Sequence, residues 1–350
     1  MIRKWSIAIV TAFLATSHAV LAQAPATILD IQAEKKVSYF HDIWDYSKIA
    51  SDPGIGAALR PIKPFQSAAD ISDIVAVNGK PAKGTWVNRC DPQLGLDPNA
   101  AHGGALPRAI ADVKRSCVIH HYLEILQPDG TPIGTIMVSG MNGGDPPPGS
   151  PSAILRDNLA VIGGTGAFLG ARGQAGNAMA MSASFRVTSI SEDPANRRLN
   201  GGEAARLIIY LIPMSRPEIL STHGRPAVYH ASDFTLVSEA KPARAGETLT
   251  LFASGLGPTR PGVDPGQPFT ADPLQVVNSP VEVLFNGAPS DVLSASGSPG
   301  AVDRYQVSFR LPESVAPGMA SLRVTSAWIV GSEVKIAVGR KEKESDRDAF

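Results

Sequence analysis

The sequence predicts an all-β protein of two domains, and three observations carry that prediction. Apolar residues alternate with polar ones along most of the chain, at the period of two that a half-buried strand needs. The alternating runs are punctuated by turn chemistry: Asn78-Gly79, Asp129-Gly130, Asn142-Gly143-Gly144 and Asn200-Gly201-Gly202. Gly and Pro contribute 33 and 29 of 350 residues, above an ordinary usage of about 7% and 5%, which suits many short strands joined by tight turns.

In the first domain the alternating runs are Lys36 to Ile43, Ile71 to Val77, Cys117 to Leu126, Pro132 to Ser139, Ile154 to Ile162, Ala178 to Ile190 and Ala204 to Ile212. Seven or eight strands are expected there. Gln127-Pro128-Asp129-Gly130-Thr131 lies between two of these runs and reads as a hairpin turn. Residues 216–230, after Pro213-Met214-Ser215, are polar and hold His223-Gly224-Arg225-Pro226, the pattern of an interdomain linker. Beyond them, strands are expected at Thr248 to Ser254, Val281 to Phe285, Val292 to Ala295, Tyr305 to Leu311, Ala320 to Val324 and Glu333 to Val338. That spacing predicts a small β-sandwich over 231–338. Residues 339–350 mix charges of both signs and read as a solvated tail.

Residues 1–22 have the plan of a signal peptide: Arg3 and Lys4, an apolar run from Trp5 to Leu21, and a small residue, Ala22, at the expected cut. The mature chain is then secreted or periplasmic, and its two cysteines, Cys90 and Cys117, meet an oxidising compartment. A bridge between them is the expected state and would stabilise the fold by roughly 3 to 4 kcal/mol; a pair of buried free thiols is the alternative. Lys and Arg number 32, as do Asp and Glu, so the net charge is zero and no field favours nucleic acid or an anionic membrane surface. No later stretch is apolar enough to span a bilayer.

Two resemblances extend this reading. The first strand, Tyr39-Phe40-His41-Asp42-Ile43, and the segment Val161-Ile162-Gly163-Gly164-Thr165-Gly166-Ala167-Phe168, with Gly170-Ala171-Arg172-Gly173 after it, resemble the hallmark segments of the dirigent and allene oxide cyclase proteins. The likeness covers about residues 30–215 and implies an eight-stranded antiparallel barrel, often a homo-oligomer. Its apolar lumen would guide coupling of phenoxy radicals or cyclise an unstable epoxide. The second domain is similar to an Ig-like module of secreted bacterial proteins, on Ala243-Arg244-Ala245-Gly246-Glu247-Thr248 and Pro312-Glu313-Ser314-Val315-Ala316-Pro317-Gly318. Such modules usually act as spacers or adhesive units. The glycine stretch also mimics a dinucleotide-binding loop, but the run from Ala171 to Gly176 is too rich in glycine for the helix that such a loop requires. Tight turns with positive φ explain these glycines better.

Strand parity gives the candidate site. Phe40 and Asp42 share one face of the first strand, opposite Val37, Tyr39, His41 and Ile43. If the small residues Ala178, Ala180, Ser182 and Ser184 face a cavity, Arg172 is in phase with them. Asp42 and Arg172 then become polar anchors for a substrate tip. On the strand from Cys117 to Leu126, His120, Tyr122 and Glu124 line one face, against Ile119, His121, Leu123 and Ile125 on the other. The three polar residues are either a binding strip or the solvated side of a half-buried strand. No nucleophile elbow, catalytic triad, phosphate loop or metal motif is present, and no cofactor is expected. The sequence therefore points to an exported barrel that binds a small, mainly apolar molecule and guides its coupling or cyclisation, or alternatively to a structural or adhesive envelope protein.

Overall fold

The computed structural model describes residues 27–40, 68–93, 117–142, 146, 148–179, 186–189 and 191–339, and these form an all-β chain. Nine strands build the first sheet: β1 (Thr27–Phe40), β2 (Ala68–Val77), β3 (Lys80–Gln93), β4 (Cys117–Leu126), β5 (Pro132–Asn142), β6 (Arg156–Gly166), β7 (Arg172–Asn177), β8 (Arg186–Ser189) and β9 (Glu203–Ile212). Eight of them pair in the order β2-β3-β4-β5-β6-β7-β9-β1, and β1 returns to β2, closing an antiparallel barrel. Closure leaves no free edge in the ring. The remaining strand, β8, lies outside it and runs parallel to the end of β1.

Turn chemistry fixes the hairpins. Asn78 and Gly79 both have positive φ, 52° and 74°, as the two-residue turn between β2 and β3 demands. The hairpin between β6 and β7 depends on close approach: a Cβ on Gly164 would lie 2.4 Å from the Phe168 carbonyl oxygen and 2.7 Å from that of Thr135. Absence of that Cβ lets the turn fold tightly, and Phe168 is completely buried in the barrel core. The expectation that these glycines form a hairpin therefore has a direct steric basis.

The β2–β3, β4–β5 and β6–β7 hairpins lie at one end of the barrel, and the second domain sits on that end. Lys80 pairs with Glu282, Gln127 donates its side-chain amide to the Asn278 carbonyl, and Arg260 donates to Thr131 Oγ1 at 3.2 Å. A two-residue turn, Ala327-Trp328, joins Gly318–Ser326 to Ile329–Val330 and presses into the barrel. Ala327 and Ile329 are buried as members of the barrel's own core, with Trp328 packed against it. The lumen at this hairpin end is thus filled by Leu29, Leu211, Ile125, Ile133 and Phe168 and capped from outside.

The second domain is an open, curled sheet with a separate core around Leu249, Leu251, Val283, Val307, Phe309 and Leu322. Its principal strands are Thr248–Ser254, Val281–Phe285, Ala288–Gly297, Tyr305–Arg310, Gly318–Ser326 and Val334–Val338. The stretch read as a linker, 216–230, is corrected by the pairing. Glu218–Ile219 and Val228–His230 both pair with Thr248–Ser254, so that stretch enters the second sheet.

Candidate functional site

Backbone register sorts the inner face of the barrel from the outer, because residues opposite one another across a strand pair share a face. Leu29, Ile31 and Ala33 of β1 point inward with Ile209, Leu207 and Ala205 of β9. A bulge then interrupts β1. Lys35 takes φ 56°, and the register with β9 jumps from Ala33–Ala205 to Lys36–Glu203. The extra residue reverses the parity, so that Lys36 and Ser38 turn inward.

From Ser38 a row of polar residues crosses the inner face. Ser38 lies opposite Asp70, Asp70 opposite Asn88, and Asn88 opposite His121. Ser38 Oγ donates to Asp70 Oδ1 at 2.6 Å, and Asn88 Nδ2 donates to Asp70 Oδ2 at 3.3 Å. Lys36 Nζ reaches Glu203 Oε1 at 2.9 Å and Asp70 Oδ2 at 3.4 Å. Asn177, inward-facing on β7, donates to Asp157 at 2.6 Å. All belong to the end of the barrel remote from the second domain.

The electrostatics follow from burial and pairing. Burial is the largest influence on Lys36 and by itself lowers its pKa. The charges and hydrogen bonds of Asp70 and Glu203 together more than offset that, and Lys36 is held above the ordinary lysine value. His121 is 2% exposed. Burial first, then the Lys36 and His120 charges, push its pKa down to about 3, so it is neutral over the physiological range. Its Nδ1 accepts a hydrogen bond from Trp86 Nε1 at 2.8 Å. Among the described residues, His121 Nε2 and Asn88 Oδ1 are buried atoms with no hydrogen-bond partner.

The residues singled out in the sequence fare differently. Arg172 is exposed on the outer face, where its guanidinium donates to the carbonyls of Ile162 and Ala171 at 2.8 and 2.9 Å, so it is no lumen anchor. Its partner across the sheet, Ile212, is also exposed, whereas the neighbouring Gly173–Leu211 pair faces in. His120, Tyr122 and Glu124 are all exposed on the outside of β4, with His120 Nδ1 3.0 Å from Ser139 Oγ. They lie on the solvated outer side of that strand and do not line the lumen. Phe40 ends β1 on the inner register, two positions beyond Ser38, but its side chain lies outside the described residues, as do Asp42 and 180–185. The side chains of Cys90 and Cys117 also lie outside them. Their backbones stand on adjacent strands, Cys90 opposite Ile119 and Cys117 opposite Gln93.

Sequence reading passed over Lys36, Ser38, Asp70, Asn88 and Glu203. One signal was present: His121 interrupts an otherwise apolar face of β4, between Ile119 and Leu123. Among the described residues no group of three His, Cys, Asp or Glu side chains is placed to hold a metal ion. No described helix is long and apolar enough to cross a membrane. Comparison of the chain with protein-family models, curated proteins and solved structures gives no match.

Proposed function

We propose that this chain is an exported binding protein of dirigent or allene oxide cyclase type, whose barrel takes the polar tip of a small, mainly apolar molecule. The observation that carries the reading is the inner polar row Ser38, Asp70, Asn88, His121 with Lys36 beside it. Polar side chains inside a barrel cost stability unless they are paired or used. Two of these atoms have no partner among the described residues. The hairpin end is packed and capped, which leaves the remote end for the ligand. There the fixed Lys36 ammonium and the neutral His121 ring can hold or polarise an oxygen, and can stabilise negative charge developing on it during coupling or cyclisation.

A second reading is favoured by one observation: Leu29, Ile31, Leu123, Ile136, Leu207 and Leu211 have no exposed surface, so half of the lumen is solid core. A barrel of that kind can serve as a structural or adhesive envelope protein, with the second sheet as its partner-facing part. Mass spectrometry of small molecules extracted from the full exported chain separates the two. The binding reading expects one molecule to co-purify near stoichiometrically and to be lost from an Asp70→Leu variant of unchanged far-UV circular dichroism. If the wild-type extract is empty, and titration with phenol and naphthol probes gives no heat, the structural reading stands instead.

A further inference from the structure

We infer that the polar end of the lumen selects a neutral hydroxyl group, whose oxygen accepts from His121 Nε2–H while its hydrogen is donated to Asn88 Oδ1. The inference rests on the proposed ligand-binding role of the barrel and assigns the chemistry of the group bound.

The donor is fixed by Trp86. An indole N–H can only donate, and Trp86 Nε1 aims at His121 Nδ1 from 2.8 Å. Nδ1 must therefore present its lone pair, which places the single proton of the neutral ring on Nε2. Protonating both nitrogens would set an N–H against the indole N–H. The acceptor is fixed by Asp70. Asn88 Nδ2 donates to Asp70 Oδ2 at 3.3 Å, and exchanging the amide's two ends would set its oxygen against a carboxylate. Asn88 Oδ1 is thereby left as a pure acceptor.

Asn88 and His121 are cross-strand neighbours on the inner face, and each carries one buried polar atom that has no partner among the described residues. A hydroxyl oxygen answers both, since one atom accepts and donates. An ether answers His121 and leaves Asn88 unpaired. A carboxylate has no hydrogen to donate and also leaves Asn88 unpaired. Leaving one buried polar group unpaired is expected to weaken binding about ten- to a hundredfold.

Matched probes test this on the full chain. Phenol, anisole and benzoate form one series, and 2-naphthol, 2-methoxynaphthalene and 2-naphthoate the other, each titrated by calorimetry. The expected result is that a hydroxyl member binds at least about tenfold more tightly than its ether and its carboxylate, and that Asn88→Leu erases the difference from the ether. Equal or tighter binding of the ether or carboxylate overturns the selectivity while leaving the binding reading intact. Binding by no member of either series removes both. Nitrogen-15 NMR of labelled histidine in the wild-type chain supplies a test that needs no variant. The Nε2–H tautomer at pH 7, with its signal shifted by the hydroxyl probe, is expected; the Nδ1–H tautomer or an imidazolium overturns the inference.

Discussion

Trp86 Nε1 donates to His121 Nδ1 across the β3–β4 ladder at 2.8 Å, with the two ring centroids 5.6 Å apart. Both rings are buried on the inner face, where Trp86 lies opposite Leu123 and His121 opposite Val138. The pair therefore joins the apolar part of the lumen to the polar row. It also leaves Nε2 as the nitrogen that carries the proton of the neutral ring.

Acid should destabilise the fold through this pair. The His121 pKa is about 3 in the folded chain, against about 6.5 in an unfolded one. Between those values the unfolded state binds a proton that the folded state refuses, so stability falls as pH drops from about 6.5 towards 3 and the loss levels off below. The total is on the order of a few kcal/mol. Urea midpoints measured across that range should show the loss in the wild-type chain, and His121→Gln, whose side-chain carbonyl can still accept from Trp86, should flatten it.

Two neighbouring glycines should differ sharply in their tolerance of alanine. A Cβ at Gly164 would strike the Phe168 and Thr135 carbonyl oxygens at 2.4 and 2.7 Å, both of them backbone atoms. At Gly163 the nearest atom is the end of the Arg172 side chain, 3.8 Å away. Gly164→Ala should cost about 3 kcal/mol or more, while Gly163→Ala should stay within about 0.5 kcal/mol of the parent. Thermal denaturation of the two variants checks the contrast, and a comparable loss from both would refute the steric account of the hairpin.

How much of the fold and site was legible in the sequence depended on the kind of signal. Turns announced themselves: Asn78-Gly79 and Asp129-Gly130 stand where the hairpins are, because few other residues tolerate the positive φ found at Asn78, Gly79 and Gly130. The strand β3 went unread because Pro81 and Gly84 break its pattern, and β7 because Gly173 and Gly176 mask it as loop. Those glycines are forced by neighbours from other strands: a Cβ on Gly84 would lie 2.0 Å from the Glu124 carbonyl oxygen, and one on Gly173 1.9 Å from that of Tyr210. The inner polar row was hidden by the bulge at Lys35, which reverses parity within β1. Within the run from Lys36, parity already groups Lys36 and Ser38 with Phe40 and Asp42, but no local pattern marks the reversal against Leu29, Ile31 and Ala33 at the start of β1.

Lys36 should be worth more to stability than its length suggests. Its ammonium lies between Asp70 and Glu203 with 17% of its side chain exposed. Lys36→Met leaves the two carboxyl groups facing each other without a counter-charge, and a loss of roughly 3 kcal/mol at pH 7 is expected. Because the folded-state pKa is raised, the stabilisation is present in full below about 10.5 and disappears as pH rises through the folded value. Wild type and variant should therefore converge in strongly alkaline buffer. A difference between them that stays constant to high pH would show that the methylene stem, and not the charge, is responsible.

The second sheet should be inseparable from the barrel's stability. Ala327 and Trp328 occupy the two central positions of a tight turn with φ of 49° and 62°. Neither residue is suited to that conformation, which costs about 1–2 kcal/mol apiece. The packing of Ala327 and Ile329 into the barrel core, with Trp328 against it, offsets that cost. Ile329→Ala removes apolar contact from both domains at once and should destabilise the whole chain by roughly 2–4 kcal/mol. If the turn joins the two cores, calorimetry should show one unfolding transition whose midpoint falls as a unit in Ile329→Ala. A Trp328→Gly variant relaxes the turn while deleting the ring, so its net loss should be smaller than the contact alone implies. Two separate transitions, with only the second sheet responding to Ile329→Ala, would mean that the domains merely touch and that the barrel core is complete without its cap.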